Sequence, residues 1–400
     1  MTATVRGDGH AWPLPKVVIS PAVLRALFSA TVFFYPFSFA WRLLYLLPQG
    51  LLILLLSAAL WQRRADPHTD CRVAVMCLAA LAATVSAGLV EWMSDTPNFD
   101  LVVKLAINST TVCLAAAAQI SLISQETIRS MLWCAVVWFV CAMVAYVTAG
   151  TSIVELFLLF TSGEGVDSST LYGIASPLES VFLTKNISAM FVAAVFSLFL
   201  YLKLVHGESL RFWEIVLFLL AMLVFASRQA IVAFVGLLMV YRLLQGITWQ
   251  AVVLILCGVL AGVAFFLLFF DLQSSGDGAS QRLELWTFFL KNTGNFAVEG
   301  YGLDEMNRVL ERHVGIDNFH MFFMNQIGAY GLMHFVYFSV MCLAVLSGGL
   351  RSSACWLLAA GYYLNVTFQT YGYEYGNLFL FVVIVSRDNE SLKKVSKWIP

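Results

Sequence analysis

Several short stretches carry the side chains best suited to chemistry. Arg228 stands in Val224-Phe225-Ala226-Ser227-Arg228-Gln229-Ala230, where one apolar run hands directly to the next. An arginine at a bilayer centre costs about 3 kcal/mol on insertion scales, so its presence needs a reason. It either snorkels at a helix end or binds an anion, since its planar fork matches a pair of phosphate oxygens. Arg282, in Gln281-Arg282-Leu283-Glu284-Leu285-Trp286, either pairs locally with Glu284 or joins such an anion site. Lys185-Asn186 opens an apolar run and reads as an interfacial anchor or as a ligand pair. In Gly315-Ile316-Asp317-Asn318-Phe319-His320, Asp317 and His320 share a face if a helix has already begun. A carboxylate and an imidazole beside arginines could supply a general base next to a phosphate cradle. The competing reading makes Asp317-Asn318 a helix N-cap, a position both residue types favour. Gly300-Tyr301-Gly302 supplies a flexible turn. Tyr371, Tyr373 and Tyr375 flank Glu374, either as rings that stack on sugars or as an interfacial tyrosine belt.

These residues punctuate a chain that is 60% hydrophobic and 12% charged. Soluble domains are nearer a quarter charged. A span needs about 20 apolar residues, and runs of that length exclude both a soluble enzyme and an alternating outer-membrane barrel. Apolar runs fall near 21–41, 43–62, 73–93, 101–123, 131–150, 187–206, 211–227, 229–246, 248–270, 319–346, 353–369 and 373–387. The expectation is one all-α polytopic membrane domain over residues 1–400, with about twelve transmembrane helices. The first run follows Arg6 and Lys16 like a signal peptide, yet lacks a small-residue cleavage site and reads as a retained span. With the N-terminus in the cytoplasm, 15 of the 23 basic residues fall on the cytoplasmic side, and both termini come out there. The eight that fall outside are Arg42, Lys104, Lys185, Arg228, Arg282, Lys291, Arg308 and Arg312. Two long segments, 151–186 and 271–318, lie on the outer face of this topology. The eight cysteines form no CxxC or Cys/His cluster, so neither a metal site nor a disulfide framework is expected. No Walker loop or GxGxxG occurs, so nucleotide chemistry and nucleic acid have no support, and no cofactor is expected.

The order of these motifs resembles the superfamily of bacterial O-antigen ligases and Wzy-type polysaccharide polymerases. Four pieces carry the resemblance: Lys185-Asn186 opening a span; Ser227-Arg228 before an apolar run; Arg282 and Trp286 ahead of Gly300-Tyr301-Gly302; and Asp317-Asn318 followed through Gly328 to Gly331-Leu332. They cover roughly residues 180–335. The resemblance implies a GT-C-like, metal-independent glycosyltransferase of the bacterial inner membrane. It would take a glycan from an undecaprenyl-pyrophosphate carrier on the periplasmic face, in exopolysaccharide or O-antigen synthesis. It also implies roles: Arg228 and Arg282 on the pyrophosphate, and Asp317 where ligases carry a His. Lys185, Asn186, Asn318, His320 and Tyr301 would contact substrate. A polymerase is favoured over a ligase acting on lipid A core, because imidazole is absent at 317. A flippase and a chain-length regulator are the implied partners. The alternative of another class is a multi-span transporter or lipid flippase; against it, the sequence shows no repeat symmetry between halves.

The distribution of basic residues makes a direct prediction. Reporter fusions after residues 67 and 400 should signal from the cytoplasm and a fusion after residue 290 from outside; the reverse pattern at 290 and 400 would overturn the topology.

Overall fold

The computed structural model describes residues 20–37, 41, 43–62, 70–152, 173–246, 278–296, 298–349 and 352–386. Among them every regular element is helical. The helices are α1 (Pro21–Phe34), α2 (Leu43–Gln62), α3 (Cys71–Met93), α4 (Asp100–Ala118), α5 (Gln125–Thr148), α6 (Lys185–His206) and α7 (Phe212–Leu223). They continue with α8 (Arg228–Leu244), α9 (Gly278–Lys291), α10 (Leu303–Val314), α11 (Phe322–Gly349), α12 (Cys355–Phe368) and α13 (Tyr375–Val385). The expected ninth span, 248–270, and most of the segment 151–186 lie outside the described residues. Helices α2 to α6 and α11 are long and apolar enough to cross a membrane. Helices α1, α7, α8 and α13 are apolar but shorter.

Local chemistry sets the ends. α2 occupies the expected 43–62. α1 stops at Phe34, short of the expected 41, and passes into a 3-10 turn through Pro36, whose nitrogen cannot donate. α5 begins at Gln125, six residues earlier than expected, because Ser124 and Thr127 form a reciprocal capping box that admits a polar first turn. α7 and α8 are separated only by residues 224–227, where Ala226 takes φ 50°. That matches the direct hand-over read from the sequence.

α6 is apolar on every side and is buried almost throughout, from Ser188 to Lys203. Every residue of α13 is buried as well. These two helices form the centre, and α4, α5, α8, α11 and α12 pack around them. α3 shows the opposite design. Leu78, Leu81, Val85 and Leu89 stand exposed along one stripe. Ala79, Ala83 and Ala87 recur every fourth residue on the stripe packed against α11. Small residues at that spacing let two helix backbones approach closely, the usual means of association where lipid supplies no hydrophobic drive. One further turn along lies Glu91, fully buried. Exposed tryptophans Trp41, Trp61, Trp92 and Trp213 stand at or beside helix ends, where amphipathic rings suit an interface.

Contacts between helix ends sort the bundle into two poles. At one pole, Leu183 N–H donates to Pro36 O at 3.0 Å and Tyr146 Oη to Val224 O at 2.9 Å. At the other, Arg25 Nε donates to Ser121 O at 3.3 Å and Gln125 Nε2 to Glu208 Oε1 at 3.0 Å. Lys203 is buried at that second pole and pairs with Glu214 at 2.8 Å. Successive helices from α5 to α8 therefore run antiparallel, as alternate crossing requires.

α10 differs from the rest. It is strongly amphipathic, with Asp304 and Glu305 in its first turn and Arg312 and His313 in its last, and it ends on left-handed Gly315. The turn leading into it docks on a break in α11. Gly331 takes φ 77° and ψ 173° inside that helix, which removes the helical partners of Gly328 O and Ala329 O. Tyr301 N–H donates to Gly328 O at 3.1 Å and Gly302 N–H to Ala329 O at 2.8 Å, replacing them. The sequence Gly300-Tyr301-Gly302, expected to be a flexible turn, is thus a fixed clasp. A Cβ on Gly300, where φ is 73°, would stand 2.5 Å from Ala329 O and 2.6 Å from Gly331 N. Gly300→Ala should therefore cost about 2 kcal/mol through backbone displacement and left-handed strain. It should lower the thermal unfolding temperature of the detergent-solubilised protein. Gly294→Ala, with nothing within 4 Å of the added carbon, is the neutral control.

Candidate functional site

Residues far apart in sequence meet at the first pole, at the N-terminal ends of α6 and α8 and the C-terminal end of α12. α6 starts with buried Lys185 and with Asn186. Ser227, just ahead of α8, donates through Oγ to Asn186 Oδ1 at 2.9 Å. Gln369, directly after α12, reaches Asn186 O at 3.5 Å through Nε2. Gln229 lies between them. In one orientation of its amide it accepts from Gln369 Nε2 at 2.9 Å. In the other it donates to Phe368 O at 3.2 Å and accepts from Arg282 Nη2. Arg282, on α9, also places Nη2 3.4 Å from Phe368 O. Its guanidinium therefore turns towards the bundle, and Glu284 on the same helix is exposed. Arg228 stands between Ser227 and Gln229 as the first residue of α8, and its side chain lies outside the described residues.

The same pole receives the stretch before α11. Thr370 Oγ1 donates to Asn318 Oδ1 at 2.8 Å, and that oxygen also accepts from His320 N–H at 2.9 Å. Asn318 Nδ2 donates to Asp317 Oδ1 at 2.7 Å. α11 begins only at Phe322, and His320 takes φ 49°, so Asp317 and His320 do not share a helical face. Neither is Asp317-Asn318 the cap of α11, because three residues lie between Asp317 and Met321, the residue directly before the helix. Asn318 instead folds the loop on itself, an Asx-type turn that its short amide can form. Asp317 is exposed, at the rim.

His320 is mostly buried, and burial lowers its pKa to about 4, with Arg282 adding to the fall and Asp317 opposing it. An imidazole so placed is neutral around pH 7 and holds a proton only weakly. Arg282 and Asp317 thus both act on the ring, which puts the three groups in one electrostatic neighbourhood.

Tyr301 sits apart from this network. Its ring packs edge-on against Phe296 with centroids 5.4 Å apart, and its backbone holds the α11 clasp. Tyr373 and Tyr375 are only 1% exposed, so they form no interfacial belt; Tyr371 alone is open. The burial follows from the loop 369–374 folding inwards over the N-terminus of the central helix α13. Gln229, Gln369 and Thr370 are not singled out from the sequence, and Ser227 only as the neighbour of Arg228. Uncharged hydroxyl and amide residues beside apolar runs are too common to stand out there, although the adjacency of Ser227 and Gln229 to Arg228 was visible. Among the described residues no group of histidine, cysteine, aspartate and glutamate is arranged to hold a metal ion.

Comparison with protein-family models and with curated proteins gives no match. The class that fold and composition define is that of α-helical membrane proteins, with a polar site at one pole of an apolar bundle.

The His320 pKa lies below the ordinary imidazole value, so the unfolded chain takes up a proton first as pH falls. Stability should be full above about pH 6.5 and be lost progressively towards pH 4, by up to about 3 kcal/mol from this group. Thermal unfolding in detergent at pH 7 and pH 5 should show a smaller drop for His320→Gln than for the wild type. An equal drop would remove the histidine's contribution.

Proposed function

We propose that this protein is a polysaccharide polymerase of the bacterial inner membrane, with about twelve spans and a GT-C-like plan. It would transfer glycan repeat units from an undecaprenyl-pyrophosphate carrier on the periplasmic face. The observation that carries the reading is convergence. Asn186, Ser227, Arg282 and Asn318, drawn from all four sequence stretches that resemble the ligase and polymerase superfamily, gather at one pole, where Ser227 bonds Asn186, Arg282 reaches Phe368 O, and Thr370 bonds Asn318. Arg228 begins a helix inside the same network. Nothing in the hydropathy of the chain requires those stretches to meet.

The chemistry asked of such a site fits the groups present. The leaving group in this transfer is a pyrophosphate, and its developing charge is the largest electrostatic demand. Arg282 offers a guanidinium held against Phe368 O, and the first N–H groups of α6 and α8 add the positive ends of two helix dipoles at the same pole. Asp317 at the rim orients the acceptor hydroxyl or takes its proton; His320, its pKa lowered to about 4, is the weaker alternative base. The partial burial of the network raises the worth of each charge relative to open water.

Membranes containing the protein, supplied with lipid-linked repeat units, test this reading by the polymer ladder formed. Arg282→Ala and Arg228→Ala should each abolish the ladder while the protein stays in the membrane. Arg282→Lys should fail too, because an ammonium lacks the fork. Full activity of Arg282→Lys would end the phosphate-clamp role. Asp317→Asn should express normally and give little or short polymer, a loss of about 10² to 10⁴ in rate if the carboxylate acts as a base.

A further inference from the structure

The loop 369–374 joins α12 to α13, and among the described residues no backbone–backbone hydrogen bond involves residues 369–373. Side chains therefore set its course. At its start, Gln369 Nε2 lies 3.5 Å from Asn186 O and 2.9 Å from the Gln229 amide, and Thr370 Oγ1 donates to Asn318 Oδ1 at 2.8 Å. Those contacts belong to the site already described. Near its end, Tyr373 is held from inside the bundle by two buried groups that the site does not use.

The first is Asn108 on α4, whose Nδ2 donates to Tyr373 O at 2.6 Å. Its Oδ1 accepts from Gln49 Nε2 on α2 at 2.7 Å. Both amides are buried in helices long and apolar enough to cross a membrane. A buried amide costs free energy unless its hydrogen bonds are made, and polar side chains inside a span are rare for that reason. Asn108 uses one end of its amide to fix itself to α2 and the other to hold the loop. The second group is His334 on α11. Its Nδ1 lies 2.9 Å from Ala83 O on α3, and a carbonyl only accepts, so Nδ1 carries the ring proton. Nε2 then accepts from the Tyr373 hydroxyl. Tyr373 is thus gripped at its main-chain oxygen and at its hydroxyl, by groups fixed to four different helices. The Phe322 ring closes the space beneath the loop, since a Cβ on Gly372 would stand 2.6 Å from it.

We propose that Asn108 and His334 are positioning residues, which hold the loop 369–374 through Tyr373 so that Gln369 and Thr370 stay in contact with Asn186, Gln229 and Asn318. The effect on glycan transfer rests on the polymerase reading. The hold on the loop stands on its own geometry.

The test uses the full chain in lipid nanodiscs and has two readouts. The first is chymotrypsin cleavage after residue 373, located by mass spectrometry. Tyr373 is 1% exposed, so cleavage there reports how often the loop opens. Asn108→Leu and Tyr373→Phe should each speed that cleavage about fivefold, the effect of one buried neutral hydrogen bond. Tyr373→Phe loses only a hydroxyl and carries the test if Asn108→Leu fails to fold. Thr111→Val is the control: Thr111 is buried one turn further along α4 and meets Gln49 at 3.2 Å, not the loop. Unchanged cleavage in both loop-releasing variants, or equal acceleration in Thr111→Val, overturns the proposal. The second readout is polymer formed from lipid-linked repeat units. Asn108→Leu and Thr370→Val should each slow it about fivefold, and the double variant should be no slower than the slower single, because one acts through the other. Losses that multiply to about 25-fold, or faster cleavage with undiminished transfer, overturn the positioning role. Faster cleavage in the variants with no transfer by the wild type would support the hold on the loop and remove the polymerase reading.

Discussion

Backbone polar groups inside an apolar bundle must find partners within the protein, because lipid offers none. The break at Gly331 in α11 creates that demand at Gly328 O and Ala329 O, and the clasp at Tyr301 and Gly302 answers it. Glu91 reinforces the same junction. Its buried carboxylate accepts from Leu303 N–H at 2.9 Å and from Asn98 N–H at 2.8 Å. The polar segment from α9 to α10 is thereby tied to the apolar helices α3 and α11. That attachment holds α10 and the loop 315–321 against the bundle, and so sets where Asn318 and His320 lie.

The packing scheme and the site share one logic. α6 and α13 can be buried on all sides because they are apolar all round, and their N-terminal ends are then surrounded by other helix ends rather than by lipid. Positive helix ends, Arg282 and several uncharged amides gather there. The opposite pole is held differently, by the buried pair Lys203–Glu214 and by surface contacts such as Gln125–Glu208. A fully paired ion pair has little left to offer a ligand. The site pole retains unfilled acceptors at Asn377 and Glu374 and a neutral imidazole at His320. The two poles are therefore chemically distinct although the apolar bodies of the helices are alike.

Hydropathy placed α2, α3 and α6 to within about two residues, because a run of apolar residues long enough to span lipid has few alternatives to helix. Proline and capping chemistry then moved the ends of α1 and α5, both readable only at the level of individual residues. The expense of burying a charge flags Arg228 between two apolar runs, and the topology drawn from the basic residues flags Arg282 on the outer face. What the sequence could not show was pairing across long separations. Gln369 and Gln229 are unremarkable amides until α12 and α8 bring them together 2.9 Å apart. Tyr373 and Tyr375 looked interfacial by type and spacing, and only the inward course of the 369–374 loop buried them. Gly300 reads from the sequence as part of a flexible turn and Gly331 as part of a separate motif; that each is needed because of the other is a property of their contact. Sequence by itself determined which segments must be helical and which side chains were too costly to be incidental, since both follow from local transfer energies. Tertiary structure alone decided which of those side chains share a site, since that depends on helix packing between residues 41 to 183 positions apart.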